Sequence, residues 1–131
     1  MSLIGIVSSD QFVNDVIQKE FDYHKSRQHI LTVLSEETSI MEFLNFDLPE
    51  IVIINFSDDG IHLDSLLKNV EDDSWLHNFG IVGVYNSDKH DEEELLREYK
   101  DLNVLAMLDH DRVGSHIVKV IQIINQNRQI I

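Results

Sequence analysis

The feature that most constrains the fold is an alternation of short apolar runs with segments of helical periodicity. Five runs of four or five residues are rich in isoleucine and valine, and three of them are almost continuously apolar. Strands buried on both faces of a parallel sheet have this composition, whereas half-solvated strands alternate apolar and polar residues. We therefore expect five buried strands, at Leu3–Val7, Ile30–Leu34, Ile51–Ile54, Ile81–Tyr85 and Val104–Leu108.

The segments between these runs carry apolar residues at helical spacing. Asp10 can cap a first helix, and Pro49 closes the second helical segment before the third run. The fourth segment opens with the acidic residues 91–94, which suit the partial positive charge at a helix N-terminus. Strand and helix alternate five times without a repeat or linker. This predicts one domain over residues 1–131, with an α/β fold in which helices cover both faces of a parallel five-stranded sheet.

Charge and composition exclude several classes of function. Ten Lys+Arg against 24 Asp+Glu give a formal net charge of −14. Such a field repels phosphate backbones and anionic lipid, so we expect no direct nucleic-acid binding. The absence of cysteine excludes thiolate nucleophiles and cysteine-ligated metals. No apolar run is long enough to cross a membrane, and no signal-peptide pattern opens the chain, so we expect a soluble cytoplasmic domain.

The loops that follow the strands carry no recognised catalytic motif, although ligands of open parallel sheets bind there. The chain lacks the glycine-rich dinucleotide fingerprint, the Walker motif and the nucleophile elbow. Two loose groups, His62 with Asp58 and Asp59 and the run Asp109 to Asp111, could hold a cation weakly, but solvated loop residues are the simpler interpretation. We expect neither an enzyme, nor a cofactor, nor a metal site.

The order and spacing of these segments resemble the receiver domain of bacterial two-component response regulators, the CheY-like fold, over essentially the whole chain. Residues 4–10 resemble the family's first strand, an apolar run that ends in two or three acids. The segment Pro49–Asn55 resembles its third strand, which normally ends at the phosphorylated aspartate. The resemblance implies a doubly wound, flavodoxin-like three-layer sandwich with strand order 2-1-3-4-5.

The residues at the phosphorylation site differ from the pattern that the resemblance implies. Asn55 stands at the phosphoacceptor position, and a neutral carboxamide is a poor nucleophile. Ser8 and Ser9 occupy the acidic-pair positions, where hydroxyls bind Mg²⁺ poorly because the ion prefers carboxylates and water. Asp10 retains a carboxylate, which we interpret as a helix cap rather than a metal ligand.

The two switch positions differ as well. Tyr85 stands where the fourth strand usually delivers threonine or serine, and its bulk would fill the pocket that the smaller side chain leaves open. Asp109 stands where the fifth strand usually delivers lysine, which reverses the charge beside the phosphate. Taken together, the substitutions predict a pseudo-receiver that keeps the fold and has lost phosphorylation.

Two alternatives stay open. If the register slips by a few residues, Asp58 or Asp59 becomes the phosphoacceptor. A neutral crevice ringed by Ser8, Asn55, Tyr85 and Asn86 could instead bind a small polar molecule, which would make the domain a ligand sensor.

A receiver without phosphorylation can still act by binding proteins, and we expect a signalling partner and a homodimer. The resemblance implies a docking face on the fourth helix, fifth strand and fifth helix. Acids concentrate in residues 58–73 and 88–101, which indicates a solvated face or, alternatively, recognition of a basic partner. The candidate interface residues on the apolar last helix are Val118, Ile121, Ile123 and Ile124, and Ile130 and Ile131 would add to them.

Three aromatic residues have a simpler interpretation. We expect Phe43, Phe46 and Trp75 to be core anchors.

Overall fold

Strands and helices alternate along the chain in the computed structural model, which describes residues 2–23, 29–47, 49–61, 63–72 and 79–129. The described residues include five strands that lie parallel in one sheet, in the order β2-β1-β3-β4-β5. The strands are β1 (Ser2–Val7), β2 (His29–Leu34), β3 (Ile51–Asn55), β4 (Gly80–Tyr85) and β5 (Val104–Asp109). The five predicted strands and the strand order are confirmed.

Helices follow each strand, as the periodicity predicts. They are α1 (Gln11–Tyr23), α2 (Glu37–Glu42), α3 (Leu63–Asp72), α4 (Glu92–Glu98) and α5 (Val113–Gln129). No helix in the described part of the chain combines the length and the apolar character needed to cross a lipid bilayer.

The helices divide between two apolar cores, one on each face of the sheet. Side chains of α2, α3 and α4 belong to one core, and side chains of α1 and α5 belong to the other. Within β3, Val52 and Ile54 face the first core while Ile51 and Ile53 face the second, as the two-residue period of a strand requires. The predicted α/β fold, a three-layer sandwich wound on both faces, is confirmed.

Glycine in a central strand lets a ring approach the sheet closely. A Cβ atom on Gly83 would lie 2.7 Å from Cε2 of Phe56 and would also collide with the sulfur of Met107. The Phe56 ring therefore packs directly against the backbone of β4, just beyond the end of β3.

The last helix buries more of its surface than a single packed face requires. Val118 and Ile121 are buried in the core that α5 shares with α1, so the prediction that they form an interface is wrong. The physical reason is that α5 packs against both the sheet and α1, which widens its buried arc. Ile124 is partly buried against the same core, whereas Ile123 is 47% exposed and stays an interface candidate.

The second helix ends in a π-helical turn, Phe43–Asp47, which the sequence did not predict. Phe43 is buried as expected, but Phe46 is 81% exposed, so its interpretation as a core anchor is wrong. The wider π-helical turn rotates Phe46 away from the face that Phe43 presents to the sheet. Trp75, Ile130 and Ile131 lie outside the described residues.

Candidate functional site at the carboxyl edge of the sheet

Strand register brings the residues singled out by the sequence to one edge of the sheet. Asn55 ends β3 and pairs with Val84, and the next residue of β4, Tyr85, pairs with Asp109 of β5. Ser8 directly follows β1, which lies on the other side of β3. The candidate site is therefore a row of side chains across four neighbouring strands, as expected for the carboxyl edge of a parallel sheet.

The centre of this row is a buried pair of neutral side chains. Asn55 is 5% exposed and Ser8 is 1% exposed. Nδ2 of Asn55 donates a hydrogen bond to Oγ of Ser8 at 3.4 Å, and Oδ1 of Asn55 accepts one from the backbone N–H of Ser57 at 3.2 Å. Oγ of Ser8 also accepts from the backbone N–H of Asp10 at 3.2 Å. The end of β3 thus carries no charge, and its polar atoms bond within the chain.

The carboxylate beside this pair serves the first helix. Oδ1 of Asp10 accepts hydrogen bonds from the backbone N–H groups of Phe12 at 3.0 Å and Val13 at 3.3 Å. These donors belong to the first turn of α1, so the interpretation of Asp10 as a helix cap is confirmed. One turn later, Nδ2 of Asn14 donates to the backbone carbonyl of Ser8 at 3.0 Å and ties the helix to the end of β1.

A second carboxylate reaches the site from the loop after β3. Asp58 accepts hydrogen bonds from both the backbone N–H and Oγ of Ser9, the latter at 2.6 Å, and from the backbone N–H of Gly60 at 2.8 Å. From the sequence, Asp58 was a candidate for a shifted phosphoacceptor and for a weak cation ligand beside Asp59 and His62, whereas in the structure it is hydrogen-bonded to Ser9. The signal for this turn was the sequence Asp-Asp-Gly, since Asp commonly accepts from the N–H two residues later.

The same loop is also joined to the loop after β4. Oγ of Ser57 accepts a hydrogen bond from the backbone N–H of Asn86 at 2.8 Å and shares another with Nδ1 of His90 at 2.8 Å. These contacts were not predicted from the sequence, because no linear pattern relates Ser57 to residues 29 and 33 positions further along the chain. The loop after β3 is thus bonded to its neighbours on both sides.

The switch positions have opposite electrostatic behaviour. Burial raises the pKa of Tyr85, and the nearby negative charges of Glu92 and Asp109 raise it further. A hydrogen bond from Ser87 is the main cause that lowers the pKa of Asp109, and His110 contributes in the same direction against the opposing effect of burial. Near neutral pH the phenol is therefore uncharged and the carboxylate is ionised, so a negative charge occupies the position where the receiver resemblance implies lysine.

Among the described residues, Asp109, His110 and Asp111 form a group of potential cation ligands, with ligand atoms within 4.8 Å of one another. Nδ1 of His110 lies 3.0 Å from Oδ1 of Asp109, and its Nε2 lies 3.1 Å from Oδ1 of Asp111. Each ring nitrogen therefore lies within hydrogen-bonding distance of a carboxylate. The other loose group involves His62, which lies outside the described residues.

The residues expected to ring a polar crevice lie in different surroundings. Ser8 and Asn55 are buried against each other, and the backbone N–H of Asn86 is bonded to the neighbouring loop. Tyr85 lines a cleft of about 410 Å³ together with residues 87–93, and none of the other three lines it. A larger cleft of about 630 Å³ lies between α3 and α4.

Comparison with known structures identifies the fold. A two-component response regulator from Legionella pneumophila superposes with a TM-score of 0.78 at 13% identity, covering 96% of this chain and 99% of the other. The bacteriophytochrome response regulator AtBRR gives 0.70 at 17% identity, with 93% and 91% covered. The phosphorylated cyanobacterial phytochrome response regulator RcpA gives 0.66 at 14% identity, with 98% and 91% covered.

These similarities show that the chain has the receiver fold, as the sequence resemblance implies. At 13–17% identity they show the fold alone. No protein-family model matches the chain, and no curated protein matches it. Function must therefore be derived from the residues at the carboxyl edge of the sheet.

Proposed function

We propose that this chain is a receiver-fold signalling domain of a bacterial two-component-type system that accepts no phosphoryl group. In this proposal it acts in the cytoplasm by binding proteins rather than by catalysis. The observation that carries the proposal is the buried carboxamide of Asn55, which is hydrogen-bonded to Ser8 at the end of β3.

Phosphoryl transfer to a side chain needs a nucleophile and positive charge that neutralises the transferred group. At this edge the nucleophile position holds an amide, and the positions that would bind Mg²⁺ hold the hydroxyls of Ser8 and Ser9. Asp109 adds a negative charge that would repel a phosphoryl group. RcpA is phosphorylated in its structure, but the groups described here favour a domain that works in one covalent state.

The experiment is incubation with acetyl phosphate and Mg²⁺, followed by intact-mass measurement, together with titration of beryllofluoride and Mg²⁺ monitored by amide NMR. We expect no added phosphoryl group and no shifts of the Asn55 or Ser8 amides. A receiver that retains its acids serves as the positive control for the reagents.

Asp58→Ala distinguishes the slipped register from the proposal. A phosphoryl group that persists in Asn55→Ala and disappears in Asp58→Ala would make Asp58 the acceptor and overturn the proposal. Incorporation that disappears in Asn55→Ala would overturn it as well.

We also propose that the domain forms a homodimer through the face of α4, β5 and α5, which the receiver resemblance implies as a docking face. Each of these elements carries an exposed aliphatic side chain: Leu96 is 39%, Leu105 is 40% and Ile123 is 47% exposed. Apolar side chains exposed on neighbouring elements favour an interaction surface.

Sedimentation velocity tests the dimer. Leu105→Glu and Ile123→Glu should each convert a concentration-dependent dimer into a monomer. Phe46→Glu introduces the same charge at an exposed aromatic residue outside this face and should leave the dimer intact. A wild-type protein that sediments as a monomer at high concentration would contradict the dimer.

A further inference from the structure

The cleft between α3 and α4 combines an apolar floor with an acidic rim. Its volume of about 630 Å³ lies within the usual range of about 300–1,000 Å³ for binding sites. The loop after β3 and α3 form one wall, and α4 forms the other. The apolar lining includes Phe56, Leu95 and Tyr99, and the acidic lining comes from both walls.

The floor is built from buried aromatic and aliphatic side chains. The rings of Phe56 and Tyr99 are tilted by 36°, with centroids 5.0 Å apart, and Leu95 is buried beside them. The hydroxyl of Tyr99 donates a hydrogen bond to Oδ1 of Asp64 at 2.7 Å, which joins α4 to α3 across the cleft. The cleft is therefore preformed, so a ligand need not organise it.

The rim is negative. Asp58, Asp59, Asp64 and Glu98 contribute four carboxylates, and no lysine or arginine is among the described residues that line the cleft. A nearby cation is Lys89, whose Nζ lies 3.0 Å from Oδ2 of Asp59. Both side chains of that pair are exposed, at 49% and 84%, so water screens the interaction and a competing cation can replace it.

We propose that this cleft docks a basic segment of a partner protein, with a lysine or arginine head group on the rim carboxylates. The aliphatic stem and a neighbouring apolar residue of that segment would cover the floor, since long cationic side chains bury their stems on apolar surface while the charge stays solvated. An acidic segment is excluded by the rim and by the net charge of −14.

The proposed docking site extends the proposed function. It rests on that proposal in one respect, because it requires that the domain acts by binding a protein. It names the chemistry of that partner, and it lies on α3 and α4 rather than on the exposed residues of β5 and α5. The phosphorylation experiment measures a covalent group, and the dimer experiment substitutes Leu105 and Ile123, which do not line the cleft, so a failure here leaves those results unchanged.

A fluorescein-labelled peptide of alternating lysine and leucine is the probe, with binding followed by anisotropy and amide NMR. We expect the shifts to concentrate on the cleft residues. Glu98→Lys should weaken binding about tenfold or more, because it places a cation against the bound lysine. Asp22→Lys, at an exposed position of α1, changes the net charge by the same amount and should weaken binding less than about twofold.

Two further arms test the cleft itself. A peptide of alternating lysine and serine keeps the charge and loses the apolar contacts, so it should bind at least about tenfold more weakly. Ser65→Trp places a large side chain at an exposed lining position and should block the probe without changing the core. Equal weakening by Glu98→Lys and Asp22→Lys, equal binding of the two peptides, or shifts spread over the surface would each overturn the proposal.

Discussion

The loop after β3 should be the part of the carboxyl edge most sensitive to one substitution, Asp58→Ala. The Asp58 side chain accepts three hydrogen bonds, two from Ser9 and one from Gly60, and so joins two loops. The adjacent Asp59 is chemically identical but makes one exposed ion pair with Lys89. The two aspartates therefore form a matched pair in which position alone decides the effect.

The expected magnitude follows from solvent exposure. Hydrogen bonds to a charged group contribute about 1.5–3 kcal/mol each when they are protected from water. Ser9 and Gly60 are exposed and Asp58 is half-buried, so water replaces much of each bond. We expect Asp58→Ala to lower the free energy of unfolding by about 2 kcal/mol in total. Asp59→Ala should lower it by less than about 0.5 kcal/mol, as is usual for an exposed ion pair.

Urea denaturation followed by far-ultraviolet circular dichroism measures the difference. With a slope of about 2 kcal/mol per molar urea, Asp58→Ala should move the midpoint down by about 1 M and leave the slope unchanged. Combining it with Ser9→Ala gives a double-mutant cycle, whose coupling energy we expect to be about 1 kcal/mol. Equal midpoints for the Asp58 and Asp59 variants, or a coupling energy near zero, would refute the view that Asp58 joins the loops.

Three further perturbations test the site and its support. Asn55→Asp should destabilise the protein by about 1–3 kcal/mol at neutral pH, because it buries a charge without a cation, and phosphorylation measured by intact mass should stay absent. Gly83→Ala should lower the free energy of unfolding by about 1–3 kcal/mol, measured by thermal denaturation, because the new methyl group collides with Phe56. Asp109 has a lowered pKa, so its stabilising contribution is present above the pKa of the unfolded chain, near 4, and is lost as the pH falls through the lower folded value. The stability difference between wild type and Asp109→Asn, from urea titrations at several pH values, should therefore shrink under acid.

The strands and helices could be predicted because their signals are local. Runs such as Ile51–Ile54 are apolar at every position, and this pattern is typical of a short strand that is covered on both faces. Asp10 was predictable as a cap because its partners lie two and three residues ahead. Where a residue's environment depends on a third element the prediction was wrong: Val118 is buried because α1 packs against α5, and no pattern within α5 contains that information.

The candidate site could be predicted only in its position. Register places Asn55, Tyr85 and Asp109 at one edge, as the strand assignments require. The bonds from Asp58 to Ser9 and from Ser57 to His90 join residues 49 and 33 positions apart, and loop conformation alone determines them. The cleft between α3 and α4 was hidden for the same reason, since its floor and rim come from separate segments whose packing the sequence does not display.

The hydrogen bonds of the loop after β3 and the proposed docking cleft are physically connected, because Asp58 and Asp59 both line the cleft. Removing either aspartate takes one carboxylate from the rim, so charge alone predicts equal losses of affinity for the lysine–leucine peptide. Asp58 also fixes the loop to Ser9, and a loop released from that contact must be reordered when the peptide binds. In the anisotropy titration, Asp58→Ala should therefore reduce the affinity for the peptide at least about threefold more than Asp59→Ala does. Equal losses would mean that the rim acts only as a field of charge, whereas the expected inequality would mean that hydrogen bonds hold this loop in the conformation that a partner binds.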